Sequence, residues 1–357
     1  MAVISREFLA EDAALGAREL IEYCYAQGWT DGLPVVPPIQ EFVHEFLAQT
    51  DRDPDEVLMV QAHLDRACNV RQAAINAVMA GCRPECFPVV LAALDALEAS
   101  GIARTNLMQS TTGQAQILIV NGPIRKTLAF NSTENILGPG DRANATVGRA
   151  LRLIIMNVLG IRPHEFDQST HGTSAKYACC IAENEEDTPW EPLHVERGFP
   201  AEASTVTVQM IRSDLYVEHR STQVPEQILA TIADSMSYGG MITQVTDARM
   251  LHGAIVLMGP EHANLIASRG WSKQDVKQFL WEHFGKRKSD LRRMGKLHPD
   301  LEREAEDAFI RNASGPEWIM VVVSGANNAG VSTVCPSITI GREIGKNATQ
   351  LIRSRSS

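Results

Sequence analysis

The sequence predicts an α/β protein with a mixed or mostly parallel sheet, repeated strand-loop-helix units and a helical N-terminal portion. Short runs of β-branched and other apolar residues, bounded by glycine, proline or asparagine, are typical of strands buried on both faces of a sheet. Three such runs occupy residues 117–120, 254–258 and 318–323. A Gly-Pro turn and a helix with an apolar stripe follow the first two, so we expect the same strand-turn-helix unit twice.

The helical N-terminal portion covers residues 1–110 in this prediction. Apolar residues at helical spacing predict helices at 9–27, 42–47, 70–80 and 89–97. Between the first two helices, residues 28–38 read GWTDGLPVVPP, and the Asp-Gly turn and three prolines predict a rigid, extended segment. Its carboxylate, Asp31, is either an ordinary turn residue or a substrate-binding group that faces a cleft.

The α/β catalytic region is assigned to residues 111–346. Its first strand ends at Asn121, and a loop rich in Asn, Ser, Gly and Pro leads into a helix with Arg142 and Arg149 on its polar side. Because backbone N–H groups at a helix start favour an anion, Asn121, Asn144 and these arginines are candidate substrate-binding residues. The alternative is a solvated helix face with turn-forming glycines. No P-loop or G-x-G-x-x-G pattern is present, so a nucleotide is not implied.

A polar cluster follows the predicted strand at 177–182. It contains Glu183, Glu185 and His194, and strand ends are where α/β proteins gather their chemistry. A carboxylate and an imidazole act as general base and acid, or together bind a divalent metal ion, which is the one cofactor the sequence suggests. Consecutive acidic residues also occur in solvated loops, and that is the alternative interpretation.

Cys335 is a further catalytic candidate, because it follows a Ser/Gly/Asn loop at 324–330. A thiol near free backbone N–H groups has a lowered pKa and is nucleophilic, whereas a buried thiol is inert; the sequence leaves both interpretations open. If the strands that carry this loop and the 121–144 loop are neighbours, both loops open at the sheet edge that bears Glu183. The polar residues 347–357 predict a frayed tail.

Composition excludes some partners. The formal charge of −10 argues against nucleic acid or an anionic membrane as a general partner, because both bind clustered cations. No apolar run approaches the ~20 residues that span a bilayer, and the N-terminus lacks the pattern of a signal peptide. Seven irregularly spaced cysteines fit reduced thiols. We therefore expect a cytoplasmic protein that does not bind membranes.

Several longer motifs carry a family resemblance. They are GWTDGLPVVPP at 28–38, AINAVMAGC at 74–82, VNGPI at 120–124, GPG and RANA within 138–145, and ENEE through HVER at 183–197. Over roughly residues 20–340 the chain resembles a bacterial, largely uncharacterised family associated with UGSC-type selenoproteins, sometimes labelled thioredoxin or thiol-disulfide isomerase. The resemblance implies a cytoplasmic enzyme component and assigns no catalytic residues. Since this chain has no C-x-x-C, a redox module would lie on a partner chain.

Two functions are expected from these observations, beside a third, a thiol enzyme that uses Cys335. The first is a lyase or hydrolase that acts on a small, polar, anionic substrate, with Glu183 or Glu185 as base, His194 as acid and Arg142 or Arg149 holding the anion. The second is a subunit of a heteromeric thiol or selenol redox enzyme that completes its site with a partner. The first function is compatible with a homo-oligomer, and the second requires a heteromer with a redox-cysteine partner.

Overall fold

The structure is a computed structural model that describes residues 13–238, 240, 252–337 and 348–355. Residues 9–12 of the first predicted helix, and residues 347, 356 and 357 of the predicted tail, lie outside this part. Among the helices of the described ranges, none combines the length and the apolar composition that crossing a membrane requires.

The N-terminal portion contains the four predicted helices. They are α1 (Ala13–Ala26), α2 (Gln40–Leu47), α3 (Val70–Ala80) and α4 (Phe87–Ser100). A capping box between Asn69 and Gln72 begins α3, and Gly81, at a φ of 84° that favours glycine, ends it. Between α2 and α3 lies an antiparallel pair that the sequence did not predict, β1 (Val57–Gln61) and β2 (Arg66–Asn69).

The rest of the chain alternates strands with helices. The strands are β3 (Ala115–Asn121), β4 (Cys180–Ala182), β5 (Thr205–Ile211), β6 (Leu215–Glu218), β7 (Gly253–Met258), β8 (Gly285–Arg287), β9 (Phe309–Arg311), β10 (Ile319–Val323), β11 (Val331–Ser337) and β12 (Thr349–Leu351). The helices are α5 (Ile124–Thr127), α6 (Arg142–Asn157), α7 (Leu193–Glu196), α8 (Pro225–Met236), α9 (Pro260–Ser268), α10 (Lys273–His283) and α11 (Lys288–Arg293).

The main sheet is mixed, so the predicted α/β class is confirmed. Within the described residues it has eight strands, in the order β10-β7-β11-β5-β3-β4, with β6 added to β11 and β12 added to β5. The pairs β3-β4 and β7-β10 are parallel. The other pairs are antiparallel. The first two predicted buried strands, which became β3 and β7, both lead through Gly-Pro into a helix, as the sequence indicated.

The strand order shows an internal symmetry. One unit consists of β3, β4 and β5, and the other of β7, β10 and β11; each has two parallel strands and a third that runs antiparallel to the first of them. β6 follows the first unit in the chain and pairs with β11 of the second unit. β12 follows the second unit and pairs with β5 of the first unit. This exchange ties the two units into one sheet.

The sheet curls, so that its two ends meet. The backbone N–H of Asn184, just after β4, donates to the carbonyl oxygen of Val323 at the end of β10, at 2.9 Å. Side chains alternate between the two faces of a strand. Ile119, Ile181 and Val322 therefore share an inner apolar core, while their chain neighbours pack outward against the helices. The curl of the sheet also brings together the polar groups at the ends of these strands.

The end of the chain differs from the predicted frayed tail. Residues Thr349–Leu351 form β12 on β5, and the buried hydroxyls of Thr349 and Thr207 lie 2.8 Å apart. A polar strand is stable here because its backbone groups complete the ladder of β5 and its threonine meets a hydroxyl partner.

Candidate active site

Two neighbouring parallel strands end in polar residues that face the inner side of the sheet. Asn121 is the last residue of β3, and Glu183 follows the last residue of β4. Because Val120 pairs with Ala182 in register, the next residue of each strand lies at the same level. Both side chains are fully buried. The sequence placed Glu183 at a strand end, and the register explains why it meets Asn121.

The carboxyl group of Glu183 is bonded on one side only. Its Oε2 accepts hydrogen bonds from Asn121 Nδ2 at 2.6 Å and from the backbone N–H of Leu193 at 2.7 Å. Its Oε1 is buried and, within the described part of the chain, has no partner. Burial raises the pKa of Glu183 above its ordinary value of 4.5, although the positive charge of Lys273 opposes the shift. Burial therefore shifts the ionisation of Glu183 towards the protonated form.

Glu185 is an ionic anchor. Its Oε1 accepts from Asn121 Nδ2 at 3.0 Å and from the backbone N–H of Gly122 at 2.7 Å. Its Oε2 accepts from Arg125 Nη2 at 2.8 Å. These contacts use three of its four lone-pair sites and pair it with a cation, so the geometry favours a structural role for Glu185 over that of the base. Gly122 is required at this turn, because its φ is 84° and a Cβ there would clash with the carbonyl oxygen of Ala203.

Arg125 organises the acidic loop, which contains Glu183, Glu185 and Glu186. Arg125 was not identified from the sequence. It lies in the short helix α5, and its side chain is 5% exposed. Its Nη1 donates to the carbonyl oxygen of Glu183 at 2.8 Å and to Glu186 Oε2 at 3.0 Å. Hydrogen bonds from Arg125 lower the pKa of Glu186 to about 2. The available signal was an arginine two residues after the strand-ending Gly122-Pro123 turn, together with a run of glutamates later in the chain.

His194 lies beside these carboxylates in α7 and is buried. Its Nε2 is 3.2 Å from the carbonyl oxygen of Ala201, and since a carbonyl only accepts, Nε2 carries a hydrogen. Its Nδ1 is 3.8 Å from Glu185 Oε1 and has no hydrogen-bond partner in the described residues. In the neutral ring Nδ1 therefore carries a free lone pair that can accept a proton.

Four buried polar atoms without a partner in the described residues belong to this region. They are Asn121 Oδ1, Glu183 Oε1, His194 Nδ1 and Thr205 Oγ1. Thr205 begins β5 and is the register partner of Asn121. A buried polar atom left unpaired costs about 1–3 kcal/mol, so such atoms are positions where a water molecule or a polar ligand would be stabilised. Thr205 was not singled out from the sequence, because its neighbour across the sheet was not known.

The donor set does not fit a divalent metal ion. The oxygens of Glu185 accept from N–H groups and contact the cationic Arg125, which repels a second cation. Across the described ranges, no group of three or more His, Cys, Asp or Glu residues is arranged to hold a metal. The metal suggested for Glu183, Glu185 and His194 is therefore not supported.

The other predicted substrate-binding residues have structural partners. Arg149 forms two 2.8 Å hydrogen bonds with Asp31 and also donates to the carbonyl oxygens of Leu33 and Pro34. It fastens α6 to the extended segment at 28–38, and Asp31 is its ion-pair partner. These two residues satisfy each other, which removes the reason for assigning them to an anionic substrate.

Arg142 and Asn144 also bind protein groups. Arg142 donates to the carbonyl oxygens of Gly81 and Cys82, and thus holds the end of α3. The amide of Asn144 bonds both backbone groups of Asn131 and the carbonyl oxygen of Cys180. The predicted anion site at the start of α6 is therefore not supported.

Cys335 does not meet the expectation of a nucleophilic thiol. It lies within β11, opposite Ile255 of β7, in the inner apolar core, and it is fully buried. Burial raises its pKa well above the ordinary value of 9.0. Burial also raises the pKa of Cys82 and Cys179 to about 12. The cysteines are free thiols in the described chain, as the sequence predicted, and these environments keep the three thiols protonated.

The loops at this edge converge. The backbone N–H of Gly325, after β10, donates to the carbonyl oxygen of Ser132 at 3.0 Å, and Asn184 Nδ2 donates to the carbonyl oxygen of Gly325 at 3.1 Å. β3 and β10 are not hydrogen-bonded neighbours, yet their loops meet because the sheet curls. The expected convergence at the Glu183 edge is present, with Asn184 between the loops.

Known proteins do not assign this site. No protein-family profile matches the chain, and no curated protein matches it in sequence. Because a fold of this class hosts many chemistries, function is inferred from the site itself.

Proposed function

We propose that this protein is an enzyme, a lyase or hydrolase, in which Glu183 exchanges a proton with a small polar substrate at the ends of β3 and β4. The observation that carries the proposal is the one-sided bonding of Glu183. Both N–H donors point at Oε2, so the proton of the neutral acid belongs on Oε1, the oxygen without a protein partner. A buried acid with a raised pKa and a free oxygen suits general acid–base catalysis.

The surrounding groups support this role. His194 offers the free lone pair of Nδ1, and Asn121 Oδ1 and Thr205 Oγ1 offer hydrogen-bonding positions for a substrate hydroxyl or amide. Neighbouring carboxyl groups have contrasting environments, because burial raises the pKa of Glu183 while Arg125 lowers that of Glu186. Such a separation of pKa values is how enzymes assign an acid and a base at one pH.

A chain of hydrogen bonds links Glu183 with a partly exposed carboxylate. The amide of Asn121 donates to both Glu183 and Glu185, and the side chain of Glu185 is 13% exposed. The arginines expected to hold an anion bind protein groups, and Arg125 is neutralised by glutamates. We therefore propose a neutral polar substrate rather than the anionic one that the sequence suggested.

The test is turnover by matched variants. Purified wild type is incubated with a panel of small hydroxy compounds, amides and esters, and products are followed by NMR. Glu183→Gln keeps the shape of the side chain and is expected to lower kcat at least about 100-fold, the usual contribution of general acid–base catalysis. Glu191→Gln, an exposed carboxylate of the same loop, is the control and should keep wild-type activity. Equal activity of Glu183→Gln and wild type, or no turnover on any panel compound, would count against the proposal.

A further inference from the structure

A cavity lies at the end of β3 and β4 that is opposite to the candidate active site. It has a volume of about 570 Å³ and lies between the second half of α6 and residues 163–177, which lead into β4. The backbone N–H of Thr170 donates to the carbonyl oxygen of Thr111, close to the start of β3. Because Asn121 and Glu183 lie at the other ends of these strands, this cavity is separate from the candidate active site. Its volume is that of a small-molecule site.

Two cations share one carboxylate in its wall. Lys176 Nζ donates to both oxygens of Asp167, at 2.7 and 2.8 Å, and Arg152 Nη2 donates to Asp167 Oδ2 at 2.8 Å. Ser169 also donates to Asp167. Although burial opposes ionisation, these hydrogen bonds hold the pKa of Asp167 below its ordinary value. The carboxylate is therefore charged, and the three groups together carry a net charge of +1.

The cavity wall offers further N–H donors. The guanidinium of Arg152 has five N–H donors in a planar fork, and the hydrogen bond to Asp167 uses one of them. His164, His171 and the hydroxyl of Thr173 also line the cavity. Asp167 and the two cations are largely buried, with side chains 4%, 7% and 13% exposed for Asp167, Arg152 and Lys176. A net positive charge in a cavity attracts anions, and the other carboxylate of the lining, Asp31, is paired with Arg149.

We propose that this cavity binds a small oxyanion, the carboxylate or phosphate group of an organic molecule, through Arg152 and Lys176. The ligand oxygens would share these two cations with Asp167 and add charge-assisted hydrogen bonds from the guanidinium fork. This binding site does not depend on the proposed reaction at Glu183. If no anion binds in the cavity, the proposal for Glu183 is unaffected.

The first test is binding of inorganic phosphate and of succinate, each measured by calorimetry on the full chain. Each hydrogen bond from a charged group contributes about 1.5–3 kcal/mol, so Lys176→Gln should lower the affinity for the anion about tenfold or more. Lys126→Gln removes the same charge from a lysine that is 72% exposed at Glu186, and it should leave the affinity unchanged. Binding of phosphate alone or of succinate alone would assign the ligand class, and binding of both would assign a general oxyanion site.

A second variant separates a binding site from a purely structural ion cluster. In Asp167→Asn the two cations lose their internal carboxylate, so the affinity for the added anion should rise. If the cluster is purely structural, the affinity should not rise. If this variant fails to fold, the comparison of Lys176→Gln with Lys126→Gln decides. The proposal is overturned if wild type binds neither anion at concentrations up to about 10 mM. Equal affinity of Lys176→Gln and wild type would overturn it as well.

Discussion

Asn121 Nδ2 lies 2.6 Å from Glu183 Oε2, so one buried amide fixes which oxygen of a buried acid remains free. The contact joins the ends of two parallel strands that are far apart in sequence but adjacent in register. Its consequence is chemical, because the oxygen without a partner is the one that carries the proton of the neutral acid.

The pH dependence of stability is the first prediction. The pKa of Glu183 is raised in the fold, so its neutral form contributes stability at a pH below the unfolded pKa. That contribution is lost as the pH rises through the folded pKa. Relative to Glu183→Gln, wild type should therefore lose free energy of unfolding as the pH rises above the ordinary pKa of 4.5, measured by urea denaturation. A constant difference across this range would contradict the raised pKa.

A neighbouring pair of basic residues tests the anchor of the acidic loop. Arg125→Ala removes a buried partner of Glu185 and leaves that carboxylate uncompensated, which should lower the free energy of unfolding by about 3–5 kcal/mol. Lys126→Ala removes an exposed partner of Glu186 and should cost less than about 1 kcal/mol. If the two variants lost similar free energies of unfolding, the burial of Arg125 would not explain its contribution to stability.

Arg149 separates a structural from a substrate-binding role. Its bonds to Asp31 and to two carbonyl oxygens are replaced poorly by glutamine, so Arg149→Gln should lower stability by about 1–3 kcal/mol. Once a substrate is found, kcat/KM measured well below the unfolding temperature should be unchanged. A rise in KM without a stability change would restore Arg149 as a substrate-binding residue.

Thiol reactivity tests the environment of Cys335. Its buried position and raised pKa predict that iodoacetamide leaves it unmodified in the native protein at neutral pH, while urea-unfolded chain reacts at once. Mass spectrometry of peptides after timed alkylation measures both rates. Rapid native modification would support the alternative of a thiol enzyme.

Local patterns predicted much of the fold. The four N-terminal helices, the buried strands that became β3 and β7, and the repeated Gly-Pro turn follow from periodicity and turn chemistry over a few residues. The exchange of β6 and β12 between the two units was not predicted, because pairing between distant strands leaves no local signal.

The candidate site shows the same limit. The end of β4 identified Glu183, but the sequence did not distinguish it from Glu185, because their roles depend on Asn121 and Arg125, about 60 residues earlier. Helical periodicity put Arg149 on the polar side of α6 without indicating that Asp31 would meet it. Partners that are remote in sequence decided both roles.

The protonation state of Glu183 tests the central claim most directly. Infrared difference spectra of wild type and Glu183→Gln, recorded over a pH series that rises from 4.5, the ordinary pKa of the group, report the C=O stretch of protonated carboxyl groups. The proposed site predicts a carboxylic acid band in wild type that is absent from Glu183→Gln and present in Glu191→Gln. The same acid band in wild type and Glu183→Gln, or none in either, would contradict the assignment of Glu183 as the proton-carrying group.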